Sequence, residues 1–155
     1  MSQVFISAGG RQAVSELIRS RFDADVRLIH DADGAPRLVG ADEEISISHS
    51  RHYAALMVST EGRCGVDIEE PRIEQLTRVR AKFLTPEELA APIDLLMAWT
   101  AKEAVFKAAG TPGLGLSMID TLSQPGFALI PDGRRFRLSS TVTPDYTLTS
   151  ALPDD

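Results

Sequence analysis

Between Ser7 and Phe22 the apolar residues Val14, Leu17, Ile18 and Phe22 recur at helical spacing with charged residues between them. This predicts one amphipathic helix, capped at Ser7 or at the glycines that follow. The pattern then turns extended. "DVRLIHDADGAPRLVG" gives two short runs around an Asp-Gly turn, and "EEISISHS" and "YAALMVS" read as further strands. "RCGVDIEEP" is another strand, stopped by Pro71. "LTRVRAKFL" is a modest helix. In "TPEEL", Thr85 is an N-cap, Pro86 occupies the first helical position and Glu88 completes a capping box. Asp94 caps the helix that contains "AWTAKEAVFKAAG", and Gly110 with Pro112 ends it. "MIDTLSQ", "FALIPDGRRFRLSST" and "DYTLTSAL" follow as strands, the middle one folded at a Pro-Asp-Gly turn.

The order of one helix followed by three strands thus occurs twice, in halves of about residues 1–62 and 63–155. It predicts an α+β fold, either pseudo-twofold with a cleft between the halves or an ordinary α+β domain in which the order recurs by chance. No linker or low-complexity tract divides the chain, so a single domain over 1–155 is expected.

Composition narrows the partners. The 155 residues are 43% hydrophobic and 25% charged, enough for a real core, and the formal net charge of -6 argues against a general affinity for nucleic acid or an anionic membrane. No apolar run approaches the ~20 residues of a membrane span, and "MSQVFISAGGRQ" lacks the order of a secretory signal, so a cytoplasmic protein is expected. Cys64, the one cysteine, rules out a disulfide within the chain and reads as a small buried side chain.

Candidate chemistry begins in "GVDIEE". Residues two apart on a strand share a face, so Asp67 and Glu69 become close like charges. A cation between them relieves the repulsion, and hard oxygen ligands favour Mg²⁺ or Mn²⁺; a solvated strand edge is the plainer alternative. In the helix, Glu103 and Lys107 lie about 40° apart and Lys102 about 100° from Glu103 on the other side, with Trp99 and Phe106 inside the same arc. The opposite side carries Met97, Ala101, Ala104, Val105 and Ala108, which suits packing on a sheet. Charges on so apolar a helix need partners. Structural ion pairs with nearby arginines would satisfy them; together with Asp67 and Glu69, however, they form a set of three acids for a divalent ion and two lysines for phosphate oxygens, a phosphoryl-transfer site in outline. In "ISISHS", alternation puts Ile45 and Ile47 on the apolar face and Ser46, Ser48 and Ser50 on the polar face, so His49 stands where a third apolar residue is expected. His30 and His52 are assigned no role.

"SISHS" at 46–50, "GVDIEE" at 65–70 and "WTAKEAVFK" at 99–107, with "GAPRL", "KFLTPEEL" and "GLGLS" around them, together resemble the 4'-phosphopantetheinyl transferases, in particular their larger, pseudo-dimeric type. The resemblance spans roughly residues 34–120. It implies transfer of the phosphopantetheine arm of coenzyme A to a serine of an acyl or peptidyl carrier protein, in the manner of a holo-[acyl-carrier-protein] synthase, with release of 3',5'-adenosine bisphosphate. Carried over by position, Asp67, Glu69 and Glu103 would hold the metal, and Lys102 and Lys107 would neutralise charge on the pyrophosphate. Ser48 and His49 would touch the 3'-phosphate of the nucleotide. Glu103 would take the proton of the attacking serine, directly or through a water on the metal. Members commonly carry a lysine just before the proline of "GAPRL"; here that place is Ala35, with Arg37 beyond Pro36 as the substitute that reaches the nucleotide. The chain is short at its N-terminus for this type, and Arg11 or a second subunit is the expected source of replacement charge. An acidic carrier would meet a basic surface at Arg78, Arg80 and Lys82. Two other readings are a coenzyme A or carrier-binding module that has lost turnover, and a metal-dependent nuclease, which the negative charge disfavours.

Overall fold

The computed structural model describes residues 1–155, and its architecture is α+β, with antiparallel sheets and helices. The N-terminal residues differ from the expectation of an early helix. Ser2–Ala8 form strand β1, a single 3-10 turn covers Gly10–Ala13, and the helix α1 is confined to Val14–Arg21. The apolar spacing that marks α1 is sound, since Val14, Leu17 and Ile18 pack in one cluster with Leu38, Ile45 and Leu56. What the periodicity concealed was β1, whose side chains are half-buried at several positions rather than cleanly alternating.

Strands β2 (Arg27–His30) and β3 (Pro36–Val39) make a separate two-stranded hairpin, turned at Gly34 with a φ of +88°. Strands β4 (Glu44–His49) and β5 (Tyr53–Ser59) join β1 in a sheet of order β1-β5-β4. Strand β6 (Gly65–Glu69) opens the second sheet, of order β6-β9-β8-β7, with β7 at Phe127–Leu129, β8 at Arg135–Val142 and β9 at Thr147–Pro153. In both sheets the strand earliest in the chain pairs with the latest, which in turn pairs with the one before it. The expected strand in "MIDTLSQ" does not form. Leu116–Met118 is a 3-10 turn, and Asp120 makes only an isolated bridge with Leu129.

Between β6 and β7 lie α2 (Ile73–Phe83), α3 (Pro86–Leu89) and α4 (Leu95–Ala109). The capping box at α3 is present: Glu88 N–H donates to Thr85 Oγ1 at 3.1 Å and Thr85 N–H to Glu88 Oε1 at 2.8 Å. Asp94 Oδ1 accepts from Met97 N–H at 3.0 Å to start α4, and Gly110 at φ +59° ends it.

The two sheets meet across a layer built from Ala55 and Met57 of β5, Val66 and Ile68 of β6, Leu148 and Leu152 of β9, and Cys64. Cys64 is buried as expected, and burial pushes its thiol up to about 12. On its other face β6 lies directly under α4. A Cβ on Gly65 would collide with the Ala104 carbonyl oxygen and come 2.9 Å from the Ala108 amide nitrogen. Only glycine permits so close a crossing of strand and helix. Gly65→Ala is therefore expected to cost about 3 kcal/mol through overpacking, read as a lower midpoint in denaturant unfolding; unchanged stability would mean that α4 crosses β6 less tightly.

Candidate active site

The edge of β6 that faces β4 is closed by side chains rather than by a backbone ladder. Val66 N–H donates to Ser46 Oγ and Ile68 N–H to Ser48 Oγ, each at 3.0 Å. Both serines are buried. The two serines share the polar face of β4, as alternation predicts, and that face is turned inward: the edge amides of β6 need acceptors, and the hydroxyls on β4 supply them. Ser48 Oγ then donates to Asp67 Oδ1 at 3.1 Å, so the serine orients an acid of the candidate site. His49, by contrast, is exposed and lines a large cavity beside Ile45 and Ile47.

Lys107 fills the gap between the same two strands. Its ammonium donates to Ile47 O on β4 at 3.1 Å and to Val66 O on β6 at 2.9 Å, and stands 3.7 Å from Asp67 Oδ1. The ring of acids expected around it is partly assembled. Asp67 is buried, with its Oδ2 lacking any hydrogen-bond partner. Burial pushes its carboxyl up to about 9; Lys107 pulls it down, while Glu69 and Glu103 push it further up. Burial likewise raises Glu103, against the pull of Lys107 and with the repulsion of Glu69. Glu69 itself is drawn aside: Trp99 Nε1–H donates to its Oε2 at 3.3 Å, and Arg72 Nη2 lies 3.1 Å from its Oε1. Three carboxylates that share one lysine repel, and Glu69 has a second cation, Arg72, to turn to. No three His, Cys, Asp or Glu side chains are gathered closely enough to hold a metal ion. The chemistry of the set nevertheless fits a hard divalent cation, because Asp67 Oδ2 is an orphaned buried oxygen and the charges of Glu69 and Glu103 push the Asp67 carboxyl up beyond the effect of burial.

Lys102 does not join this group. It is fully buried on another side of α4, 2.6 Å from Glu88 Oε1, and donates to the carbonyls of Leu116 and Ile119. All three ammonium protons have acceptors. Burial pulls the lysine below its ordinary value, while Glu88 and, more weakly, Asp120 pull it back up. Glu88 is pushed up by burial and brought lower overall by its bonds from Lys102, Thr121 and Thr85. The 100° that separates Lys102 from Glu103 carries it out of the acid flank and under the 116–121 segment. Lys102, expected from the sequence among the phosphate ligands, is thus not brought together with Asp67, Glu103 and Lys107, and Glu88, read there only as a capping residue, is its partner.

The cavity has a volume of about 910 Å³ and lies between the β2–β3 hairpin, the start of α1, β4 and the C-terminal end of α4. Lys107 lines it, as do Pro36, Arg37 and Arg11. Arg37 is already paired with Asp31, Nε to Oδ1 at 3.1 Å. Arg63 also lines the cavity and was missed in the sequence, where it stands alone before Cys64 with no pattern to mark it. On α2, Arg78 and Lys82 are exposed, whereas Arg80 donates to Leu89 O at 3.0 Å and is held against α3. No helix is long and apolar enough to cross a membrane.

The family model of the 4'-phosphopantetheinyl transferase superfamily matches residues 63–147, more than half of the chain, and the chain belongs to that superfamily. The matched span contains β6 and α4 with Asp67, Glu69, Lys102, Glu103 and Lys107; it begins after Pro36, Arg37, Ser48 and His49. Among curated proteins, none matches the sequence.

The burial of the Lys102–Glu88 pair has a measurable consequence. Lys102→Met or Glu88→Gln, each leaving one member uncompensated, is expected to lower unfolding stability by about 3–5 kcal/mol, and the double variant should lose less than the two single losses combined. Additive losses in a double-mutant cycle would show that the two groups are not coupled.

Proposed function

We propose that this chain is an Mg²⁺-dependent 4'-phosphopantetheinyl transferase of the holo-[acyl-carrier-protein] synthase kind, moving the arm of coenzyme A onto a serine of an acyl or peptidyl carrier protein. The observation that carries the reading is Lys107: one ammonium lines the 910 Å³ cavity and stands 3.7 Å from Asp67, so a ligand cavity and an acid cluster share a wall. The halves 1–62 and 63–155 are read as the two parts of a pseudo-dimeric enzyme of the larger type, supported by the shared strand order of the two sheets. Its substrates make the cytoplasm the proposed compartment.

In this reading Asp67, Glu69 and Glu103 hold Mg²⁺ or Mn²⁺, with Glu69 exchanging Arg72 for the ion. When bound, the metal supplies neutralising charge to the pyrophosphate. Lys107 adds a fixed positive charge, its position set by two backbone carbonyls. The carrier serine oxygen forms a bond to the phosphorus that bears pantetheine. The bond from that phosphorus to the bridging oxygen breaks, and 3',5'-adenosine bisphosphate leaves with that oxygen. The serine proton passes to Glu103, a carboxylate that burial makes more basic than usual. Arg78 and Lys82 offer the exposed charge on which an acidic carrier would dock. The engagement of Glu69 by Arg72 and Trp99 favours one other reading, a coenzyme A or carrier-binding module without turnover.

Incubation with coenzyme A, Mg²⁺ and an unmodified carrier protein should give the mass gain of the phosphopantetheine arm. Glu103→Gln is expected to slow it at least about a hundredfold, while binding without any mass gain in the parent protein would support the binding module instead. The metal site has its own pH signature. The ordinary carboxyl value is 3.8 and that of Asp67 in the metal-free fold about 9, so the group's stabilising contribution is present below 3.8 and is lost as pH rises through 9. Mg²⁺ must displace that proton. Its affinity should rise with pH between 6 and 8, by up to about tenfold per unit, with proton release visible in calorimetry across buffers of different ionisation heat. Asp67→Asn should flatten the slope, and a pH-independent affinity in the parent would overturn the assignment.

A further inference from the structure

Four cationic side chains line the cavity, and their partners separate them into two kinds. Lys107 is occupied by two carbonyls and Asp67, and Arg37 by Asp31. Arg11 and Arg63 have no carboxylate within ion-pair distance, although Asp33 and Glu44 line the same space. Arg63 is nonetheless held in place. Its Nε–H donates to Lys107 O at 2.9 Å in the last turn of α4, and its guanidinium rests on Gly110, where a Cβ would come 2.5 Å from Cζ. Glycine at this position therefore does two things: it adopts the left-handed φ that ends α4, and it leaves room for the arginine. The two Nη groups of Arg63 donate to no protein acceptor.

A guanidinium fixed at Nε, with its remaining donors open to a cavity, is a receptor for a planar or tetrahedral anion. Which anion follows from the acids that stand behind Lys107. The acids beside Lys107 repel a bare phosphate and require a metal-bound one, so that end suits the pyrophosphate. The open guanidiniums need no metal and suit a terminal phosphate monoester, which carries close to two negative charges. We propose that Arg63, assisted by Arg11, which lines the same cavity, binds the ribose 3'-phosphate of coenzyme A and supplies the positive charge that Ala35 does not. This rests on the coenzyme A reading above, but it concerns a residue that neither the acid cluster nor the "GAPRL" segment contains.

The test compares coenzyme A with 3'-dephospho-coenzyme A, measured by calorimetry on the full chain without a carrier. The parent should bind coenzyme A at least about tenfold more tightly. Arg63→Gln should weaken coenzyme A about tenfold and leave the dephospho compound unchanged, and Arg63→Lys, which keeps the charge without the fork, should fall between them. Equal binding of coenzyme A by the parent and Arg63→Gln, or an equal loss for both ligands, would overturn the proposal. Should Arg63→Gln fold poorly, the Arg63→Lys series decides by the same two comparisons. Failure of the parent to bind either nucleotide would instead reject the coenzyme A reading, so the two failures are distinguishable.

Discussion

Strand β6 is paired by backbone to β9 on one edge and by borrowed hydroxyls to β4 on the other, and this asymmetric seam determines how the two sheets sit. Backbone amides cannot be left dry in a protein interior, and each unsatisfied one costs about 1–3 kcal/mol. Ser46 and Ser48 answer the two edge amides while keeping the strands farther apart than a ladder would. The space so left is where the Lys107 ammonium enters, donating to one carbonyl from each strand. A single cation thus joins β4 to β6, sits beside the Asp67 carboxylate and faces the cavity. Removing the serines would alter the position of every charge in the site.

The two lysines of "KEAVFK" show how five residues on a helix separate structure from chemistry. Lys102 is sealed against Glu88, and that carboxylate in turn accepts from Thr85 and Thr121, binding α3, α4 and the 116–121 segment into one unit. Lys107 keeps about a third of its side chain exposed and meets a carboxylate at a looser distance. A buried pair with every hydrogen bond satisfied is rigid and holds its geometry; Lys107 is anchored by two backbone carbonyls and keeps one side of its ammonium toward the acid and the cavity. Gly65 and Gly110 set the depth and the end of the helix that carries both.

Much of this was legible in the sequence. The caps at Thr85, Asp94 and Gly110 act through bonds to the next few residues, and α4 begins and ends where they place it. Strand periodicity put Asp67 and Glu69 on one face, and the charge of Glu69 is accordingly close enough to push the Asp67 carboxyl up. Less legible was β1, because an edge strand with mixed burial has no clean alternation, and the segment 116–123, where apolar residues serve a 3-10 turn rather than a strand. The burial of Ser46 and Ser48 was not legible, because alternation tells which residues share a face but not which face is buried.

The chain's local order therefore determined the helices, their ends, the pairing of acids on β6 and the superfamily to which the chain belongs, since each depends on contacts a few residues apart or on motif spacing. Only the tertiary structure decided that Lys102 would be a buried partner of Glu88, that Ser48 would serve Asp67, that Glu69 would turn to Arg72 and that Arg63 would reach the cavity. Those outcomes depend on which groups from distant segments compete for the same charge or hydrogen bond, and that competition is settled by distances that no linear pattern contains.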